Sequence, residues 1–180
     1  MKYKWKKISS KIAHENPWFR VREDDVIRPD GKAGKYFVVD TSESVSVIAC
    51  DKDEKIYLVG QSRYPIGKFS WEIVTGAGDE GVAPLVNAKR ELQEEAGLKA
   101  SKWIKLGHFN PGTGHSSEKC TLFLARGLSK IKPNREPSED IILRKESLEK
   151  ILAMINNNEI TCGLTITSIL KYLLYKNKKL

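Results

Sequence analysis

The sequence predicts a mixed α/β or α+β protein, with helices packed on a β-sheet and a separate antiparallel sheet at the N-terminus. Three observations lead to this prediction. Short β-branched and aromatic runs, separated by turn signals, dominate the first part of the chain. A strong helical pattern then follows a glycine-rich loop, and two further helical patterns occupy the C-terminal part. The length of 180 residues suits one domain of ordinary size that buries its own core.

The N-terminal antiparallel sheet is predicted over residues 1–42. A Pro-Asp-Gly-Lys turn signal at residues 29–32 separates two of its strands, which indicates antiparallel pairing. A second pair of apolar, β-branched strands flanks the polar turn at residues 51–54. The strands predicted in this part of the chain are residues 18–22, 25–27, 35–40, 45–49 and 56–59.

Residues 84–96 carry the clearest helical pattern, and a predicted loop with three glycines precedes them at residues 76–81. Pro84 suits the first turn of a helix, and Gly97 suits the C-terminal cap. The apolar positions repeat every three or four residues and are Leu85, Ala88, Leu92 and Ala96. Beyond this helix, we expect strands at residues 103–109 and 120–125 and helices at residues 147–156 and 164–175.

The net charge of +8 comes from the two ends of the chain. Residues 1–10 and 171–180 each contain four lysines and no acid, so the rest of the sequence is neutral. A nucleic-acid-binding protein usually concentrates its basic residues on one face. We therefore interpret these lysines as solubilising tails. Binding of RNA or another polyanion through them is an alternative hypothesis.

The cysteines and the apolar runs exclude several other classes of protein. Cys50, Cys120 and Cys162 are odd in number and far apart, so we expect neither a disulfide framework nor a zinc site. No apolar run approaches the roughly 18 residues that a membrane-spanning helix needs. Residues 1–10 also lack the apolar stretch of a secretory signal. We therefore expect a cytoplasmic protein that does not act in a membrane.

Three glutamates on the predicted helix are candidate ligands for a metal ion. At about 100° per residue, Glu91, Glu94 and Glu95 lie within a sector beside the apolar stripe. Like charges four residues apart, such as Glu91 and Glu95, repel each other and favour a bound cation. Oxygen ligands select hard ions such as Mg²⁺ or Mn²⁺. The alternative is a solvated helix face on which Lys89 and Arg90 balance the acids.

The segment from residue 76 to residue 98 resembles the signature of the Nudix hydrolases, G-x5-E-x7-R-E-U-x-E-E-x-G-U, where U is an aliphatic residue. One fixed position departs from the signature, because Val82 stands where the first glutamate is expected. The matching residues are Gly76, Arg90, Glu91, Leu92, Glu94, Glu95, Gly97 and Leu98.

Further segments are similar to the branch of this family that hydrolyses ADP-ribose and nucleotide sugars. Residues 61–65 (QSRYP), 71–76 (WEIVTG) and 110–112 (NPG) resemble the Q-x-R-Y-P, W-E-x-P-A-G and S-P-G segments of the branch. The resemblance implies an α/β/α sandwich with a mixed sheet over residues 43–180. It also implies a homodimer formed through the N-terminal sheet of residues 1–42. The implied substrate is ADP-ribose or a nucleotide sugar such as GDP-mannose.

The resemblance also implies a set of site residues. Glu91, Glu95 and Glu94 would hold Mg²⁺, or Mn²⁺ in its place, together with the main-chain carbonyl of Thr75. Arg90 and Gly97 would support the helix and its loop. Substrate-binding residues would be Arg63, Glu72 and Gly76, although a structural salt bridge between Arg63 and Glu72 is an equal alternative for that pair.

The general base is expected on a loop after the last strand of the sheet. Glu139 resembles the base of the branch best, and the alternatives are Glu136, Asp140 and Glu118. The departure at Val82 leaves a second function open, in which a Nudix fold binds a nucleotide with little or no hydrolysis. Because the three helix glutamates are intact, we expect a Mg²⁺-dependent hydrolase that cuts the pyrophosphate bond.

Overall fold

A computed structural model describes residues 4–132 and 140–178 of the chain. These residues form two units. The first comprises residues 4–42 and 110–119, and the second comprises residues 43–109, 120–132 and 140–178.

The first unit contains a three-stranded antiparallel sheet. Its strands are β1 (Lys6–Glu15), β2 (Phe19–Ile27) and β3 (Ala33–Thr41), in the spatial order β1-β2-β3. The segment at residues 110–119 joins this unit through β3, because the Val39 N–H donates to the His115 carbonyl at 2.8 Å. The Tyr36 hydroxyl also donates to the Gly114 carbonyl at 2.6 Å.

Three features of this unit differ from the sequence-based expectations. The two short runs predicted at residues 18–22 and 25–27 are one continuous strand, β2. The first strand was not predicted, because every residue of β1 is exposed and the strand has no buried apolar face to produce an alternating pattern. Lys6 and Lys7 belong to this strand, so the N-terminal lysines are not all part of a tail.

The second unit contains two sheets with the spatial orders β7-β4-β9-β8 and β10-β5-β6. Strands β4 and β9 pair in parallel, whereas the other neighbours are antiparallel, so the predicted mixed sheet is confirmed. A short 3₁₀ turn follows β5. The strands are β4 (Ser44–Ala49), β5 (Ile56–Arg63), β6 (Lys68–Glu72), β7 (Val74–Ala77), β8 (Leu98–Phe109), β9 (Cys120–Lys130) and β10 (Ile142–Glu146).

The helices of the second unit are α1 (Pro84–Ala96), α2 (Leu148–Asn156) and α3 (Gly163–Asn177). The first has the bounds that its sequence pattern predicts, and Gly97 closes it with a φ of 60° and an N–H bond to the Gln93 carbonyl at 2.9 Å. Lys171 and Lys176 lie within α3, so these C-terminal lysines are also not part of a tail. No helix in residues 4–132 and 140–178 is long and apolar enough to cross a membrane.

Helices cover both faces of the central sheet. Val45 and Val47 of β4 lie in one buried cluster with Leu92 of α1. Ile48 of the same strand lies in a second buried cluster with Ile169 of α3. Because neighbouring side chains of a strand point to opposite faces, α1 packs on one face and α2 and α3 pack on the other. The predicted α/β/α sandwich is therefore confirmed.

Candidate active site

The candidate site lies where helix α1 packs against strand β7. Glu91 and Glu95 both lie on the sheet-facing edge of the helix, and their exposed fractions are only 8% and 5%. Carboxylates are rarely buried to this degree unless they are paired or bind a metal ion. This burial distinguishes the two side chains from a solvated helix face.

Gly76 makes room for the carboxylate of Glu91. A Cβ atom at residue 76 would lie 2.1 Å from the Glu91 Cδ atom, and its three nearest atoms would all belong to the Glu91 carboxyl group. Real Cβ atoms do not approach other heavy atoms so closely, so the observed packing requires glycine at this position. The structure thus places Gly76 against a predicted metal ligand.

Glu95 contacts the neighbouring residue of the same strand. The backbone N–H of Thr75 donates a hydrogen bond to Glu95 Oε2 over 3.2 Å. The strand therefore brings the backbone at residues 75 and 76 next to the two buried carboxylates. Thr75, whose carbonyl was predicted as a metal ligand, lies beside Glu95 in the structure.

Arg90 connects the helix carboxylates to β7. Its Nη1 atom donates to Glu94 over 2.7 Å, and its Nη2 atom lies 2.8 Å from Glu91 Oε1 and 3.0 Å from the Ala77 carbonyl. Burial alone would lower the pKa of Arg90, but the charges of Glu91 and Glu94 raise it. Arg90 thus stays charged and fixes the edge of the helix to the strand.

The chemistry of the donor set fits a hard divalent cation. Glu91, Glu94 and Glu95 offer carboxylate oxygens, and two of these side chains are buried in a place that excludes water. Among residues 4–132 and 140–178, no three His, Cys, Asp or Glu side chains are grouped closely enough to hold a metal ion as they stand. Arg90 contacts one oxygen of Glu91 and one oxygen of Glu94, so the second oxygen of each carboxylate is not bound by Arg90.

Arg63 and Glu72 form a second charged pair, between β5 and β6. The Arg63 Nε and Nη2 atoms donate to the two carboxylate oxygens of Glu72 over 3.0 and 2.7 Å. Burial by itself raises the pKa of Glu72, but the bonds and the charge of Arg63, together with hydrogen bonds from Ser70 and Cys162, lower it overall. The structure thus shows the salt bridge, which is one of the two alternatives for Arg63. The hydrogen bonds to Glu72 raise the pKa of Arg63 most, and the charges of Glu72 and Glu95 raise it further.

Asn87 is a site residue that sequence reasoning missed. Its side chain is 3% exposed, accepts from the Asp79 N–H over 3.4 Å and donates to the Val82 carbonyl over 3.5 Å. The amide therefore fixes the loop between β7 and α1. One signal was available, because Asn87 precedes Glu91 by four residues and lies on the same face of the helix.

Val82 itself contributes no polar group from its side chain, which is 38% exposed. Its backbone N–H donates to the Asp79 carbonyl over 3.2 Å within the loop. The glutamate that the family signature carries at this position is thus replaced by an exposed apolar side chain in the loop before α1.

The four candidates for the general base lie in different parts of the chain. Glu139, the first choice, and Glu136 lie outside the described residues. Asp140 is described and exposed. Glu118 belongs to the first unit, whereas the carboxylates of α1 belong to the second.

The fold and this group of residues define an α/β/α sandwich protein with a carboxylate-rich site at the edge of one helix. Comparison with known families gives two matches along the chain. The NUDIX domain family matches residues 40–159, and the family described as the nucleoside diphosphate sugar hydrolase N-terminal domain matches residues 5–39. The chain belongs to the Nudix family, as its signature predicts.

Sequence similarity to individual proteins supports this assignment. The chain is 34% identical to an ADP-ribose pyrophosphatase of Bacillus subtilis over 76% of this chain and 75% of that protein. It is 31% identical to an ADP-ribose pyrophosphatase of Mycobacterium tuberculosis over 91% of this chain and 80% of that protein. It is also 32% identical to a methanol dehydrogenase activator of Bacillus methanolicus over 83% of this chain and 82% of that protein.

A solved structure shares the fold. The crystal structure of an ADP compounds hydrolase superimposes with a TM-score of 0.86, covering 99% of this chain and 96% of that one, at 16% sequence identity. Together with the family matches, these findings support a Nudix pyrophosphatase.

Proposed function

We propose that the protein hydrolyses the pyrophosphate bond of a nucleoside diphosphate linked to a sugar, with Mg²⁺ as its metal and Mn²⁺ as a possible substitute. The observation that carries this proposal is the burial of Glu91 and Glu95 against the backbone of β7, with Gly76 leaving room for one carboxylate. The similarity to ADP-ribose pyrophosphatases makes ADP-ribose the first substrate to test. A nucleotide sugar such as GDP-mannose is the second.

The roles of the residues follow from the chemistry of phosphoryl transfer. A divalent cation held by Glu91, Glu94, Glu95 and the Thr75 carbonyl would neutralise charge on the phosphate oxygens. Arg90 pairs with two of these carboxylates, those of Glu91 and Glu94, before the ion binds. Glu139 is the proposed base that takes a proton from the attacking water.

Arg63 has a substrate-binding role in this proposal. Its guanidinium is held in a bidentate pair with the buried Glu72, which fixes its position without removing its charge. A guanidinium can pair with a phosphate through two parallel bonds. Arg63 would therefore bind one phosphate of the substrate, with Glu72 as its anchor.

A substrate panel tests the proposed function. ADP-ribose, GDP-mannose, UDP-glucose and nucleoside triphosphates are incubated with the protein and Mg²⁺, and the products are identified. We expect AMP and ribose 5-phosphate from ADP-ribose, because cleavage of the pyrophosphate releases two monophosphates. Cleavage of triphosphates alone would contradict the proposed substrate class.

Val82 favours a second candidate function, a nucleotide-binding module with weak catalysis. The polar side chain expected at this position is absent, and its replacement is partly exposed. The same panel separates the two functions. A ligand that raises the melting temperature without being cleaved would support the binding module.

We also propose that the N-terminal sheet mediates a homodimer. Large apolar side chains are exposed on this sheet and directly beside its strands, and exposed apolar patches often mark protein–protein interfaces. They are Trp5, Ile8, Ile12, Trp18 and Phe37. Light scattering is expected to give the mass of two chains. A monomer that keeps full activity after removal of residues 1–40 would contradict the proposal.

A further inference from the structure

A cavity lies on the opposite face of the sheet from α1. Its volume is about 360 Å³, and it is bounded by β8, β9, the start of α2 and the end of α3. Ile104 and Leu148, two of its lining residues, pack against the buried cluster that contains Ile169. The central sheet therefore separates this cavity from Glu91 and the other carboxylates of the candidate active site.

The cavity has an excess of positive charge. Lys102 and Arg126 line it and are directly opposite each other in the antiparallel pair of β8 and β9. Like charges at such positions destabilise a sheet unless something neutralises them. Lys176 of α3 is the third cation in the lining.

One carboxylate pairs with two of these cations. Glu54 accepts hydrogen bonds from Arg126, one of them over 2.9 Å, and from Lys176 over 3.4 Å. The bonds from Arg126 lower the pKa of Glu54 to about 2, so it is ionised at neutral pH. Among the described residues, Lys102 has no ion-pair partner. Within residues 4–132 and 140–178, three cations line the cavity and Glu54 pairs with two of them, so an added dianion would balance the charge of this group.

Apart from Asn177, the rest of the lining is apolar or aromatic. Ile104, Leu148, Leu173 and Tyr175 stand beside the cations. Cavities of about 300–1,000 Å³ with apolar walls and a few converging polar groups are typical of small-molecule sites. The cations would hold a charged group, and the apolar wall would hold the body to which it is attached.

We propose that this cavity binds a phosphate monoester that carries an apolar or aromatic body. A monoester is close to a dianion at neutral pH, which matches the excess of two positive charges better than a carboxylate does. Arg126 and Lys102 are suited to charge-assisted bonds with phosphate oxygens. No carboxylate of the candidate active site lines the cavity, so binding here is independent of the proposed hydrolysis.

Calorimetric titration with 1-naphthyl phosphate tests the proposal. The protein is kept in EDTA, so that no divalent cation supports phosphate binding at the candidate active site. We expect saturable binding with one molecule per chain. Uncharged 1-naphthol is expected to bind at least tenfold more weakly, because it lacks the charged group.

Two lysine variants locate the binding site. Lys102→Gln is expected to weaken binding by roughly tenfold, the loss of one charge-assisted hydrogen bond at an exposed position. Lys99→Gln is the matched control, because Lys99 is an exposed lysine of the same strand that does not line the cavity. It is expected to bind like the wild type. Lys99→Gln is expected to keep the wild-type melting temperature, and Lys102→Gln is expected to keep or slightly raise it, because it removes the like charge opposite Arg126.

Three results would overturn the proposal. They are the absence of saturable binding to the wild type, equal effects of Lys102→Gln and Lys99→Gln, and competitive displacement of the probe by ADP-ribose. The last result would assign the probe to the candidate active site instead. None of these results depends on whether the protein hydrolyses ADP-ribose.

Discussion

Replacing Gly76 by alanine perturbs the candidate active site through a single methyl group. The new Cβ would lie 2.1 Å from Glu91 Cδ and 2.3 and 2.4 Å from its two carboxylate oxygens. Ordinary contacts begin near 3.4 Å, so the carboxylate must move by about 1 Å or more. Its movement is resisted by burial and by the 2.8 Å contact with Arg90.

The size of the effect follows from this overlap. Forcing an extra methyl into a packed site typically costs about 1–3 kcal/mol. For a chain of this size, each kcal/mol lowers the melting temperature by about 2–4 °C, which gives a decrease of roughly 2–12 °C. Because a displacement of about 1 Å can cost roughly 100-fold in rate, we expect the activity of Gly76→Ala to fall at least tenfold.

Thermal unfolding and a substrate-release assay measure the two effects. Gly163→Ala is the matched control, since no atom lies within 4 Å of a Cβ at that position, and it is expected to retain the stability and activity of the wild type.

A double-mutant cycle tests the cause. If the Glu91 carboxylate is the obstacle, Gly76→Ala should cost less than about 0.5 kcal/mol in a Glu91→Ala background. An equal cost in both backgrounds would refute the reasoning.

Three further predictions concern other parts of the candidate site. Val82→Glu is expected to lower the Mg²⁺ concentration needed for half-maximal rate, and unchanged metal titrations would show that position 82 is only structural. Glu139→Gln is expected to reduce kcat by roughly 10²–10⁴-fold with little change in Mg²⁺ affinity, as a lost general base does, whereas loss of metal binding would make Glu139 a ligand. The pKa of Glu72 is lowered in the folded protein. Its pair with Arg63 therefore stabilises the fold at pH values above the ordinary carboxyl pKa. This stabilisation is lost as the pH falls and Glu72 becomes protonated. Urea unfolding should therefore show Glu72→Gln to be less stable than wild type at pH 7, with a difference that shrinks towards pH 3; a difference independent of pH would contradict this.

A helix or strand could be predicted from the sequence where residues typical of its start and its end are both present. Helix α1 has the predicted bounds Pro84–Ala96 because proline starts it and Gly97 ends it in the left-handed conformation. Strand β1 was not predictable, because its pairing with β2 buries none of its side chains. Strand β7 was predicted in part as a loop, since glycine in a strand gives no alternating pattern and its pairing with β4 is a long-range contact.

The same distinction applies to the candidate site. Spacing along one helix was sufficient to group Glu91 with Glu95, because residues four apart share a face. It could not show that Gly76 touches Glu91, since this contact depends on how β7 packs against the helix. It also left two roles open for Arg63, and only the hairpin of β5 and β6 brings Glu72 within 2.7 Å of its guanidinium.

The central claim is that the buried carboxylates of α1 support metal-dependent hydrolysis, and a Mg²⁺ titration of ADP-ribose hydrolysis tests it most directly. The wild type is compared with Glu95→Gln, which keeps the size of the side chain but removes its charge, and with Glu149→Gln, an exposed glutamate of α2, as control. We predict Mg²⁺-dependent release of AMP by the wild type and the control, and a decrease of more than about 100-fold for Glu95→Gln, beyond the usual effect of residues that only support ligands. Equal rates and equal Mg²⁺ dependence for Glu95→Gln and the wild type would contradict the claim.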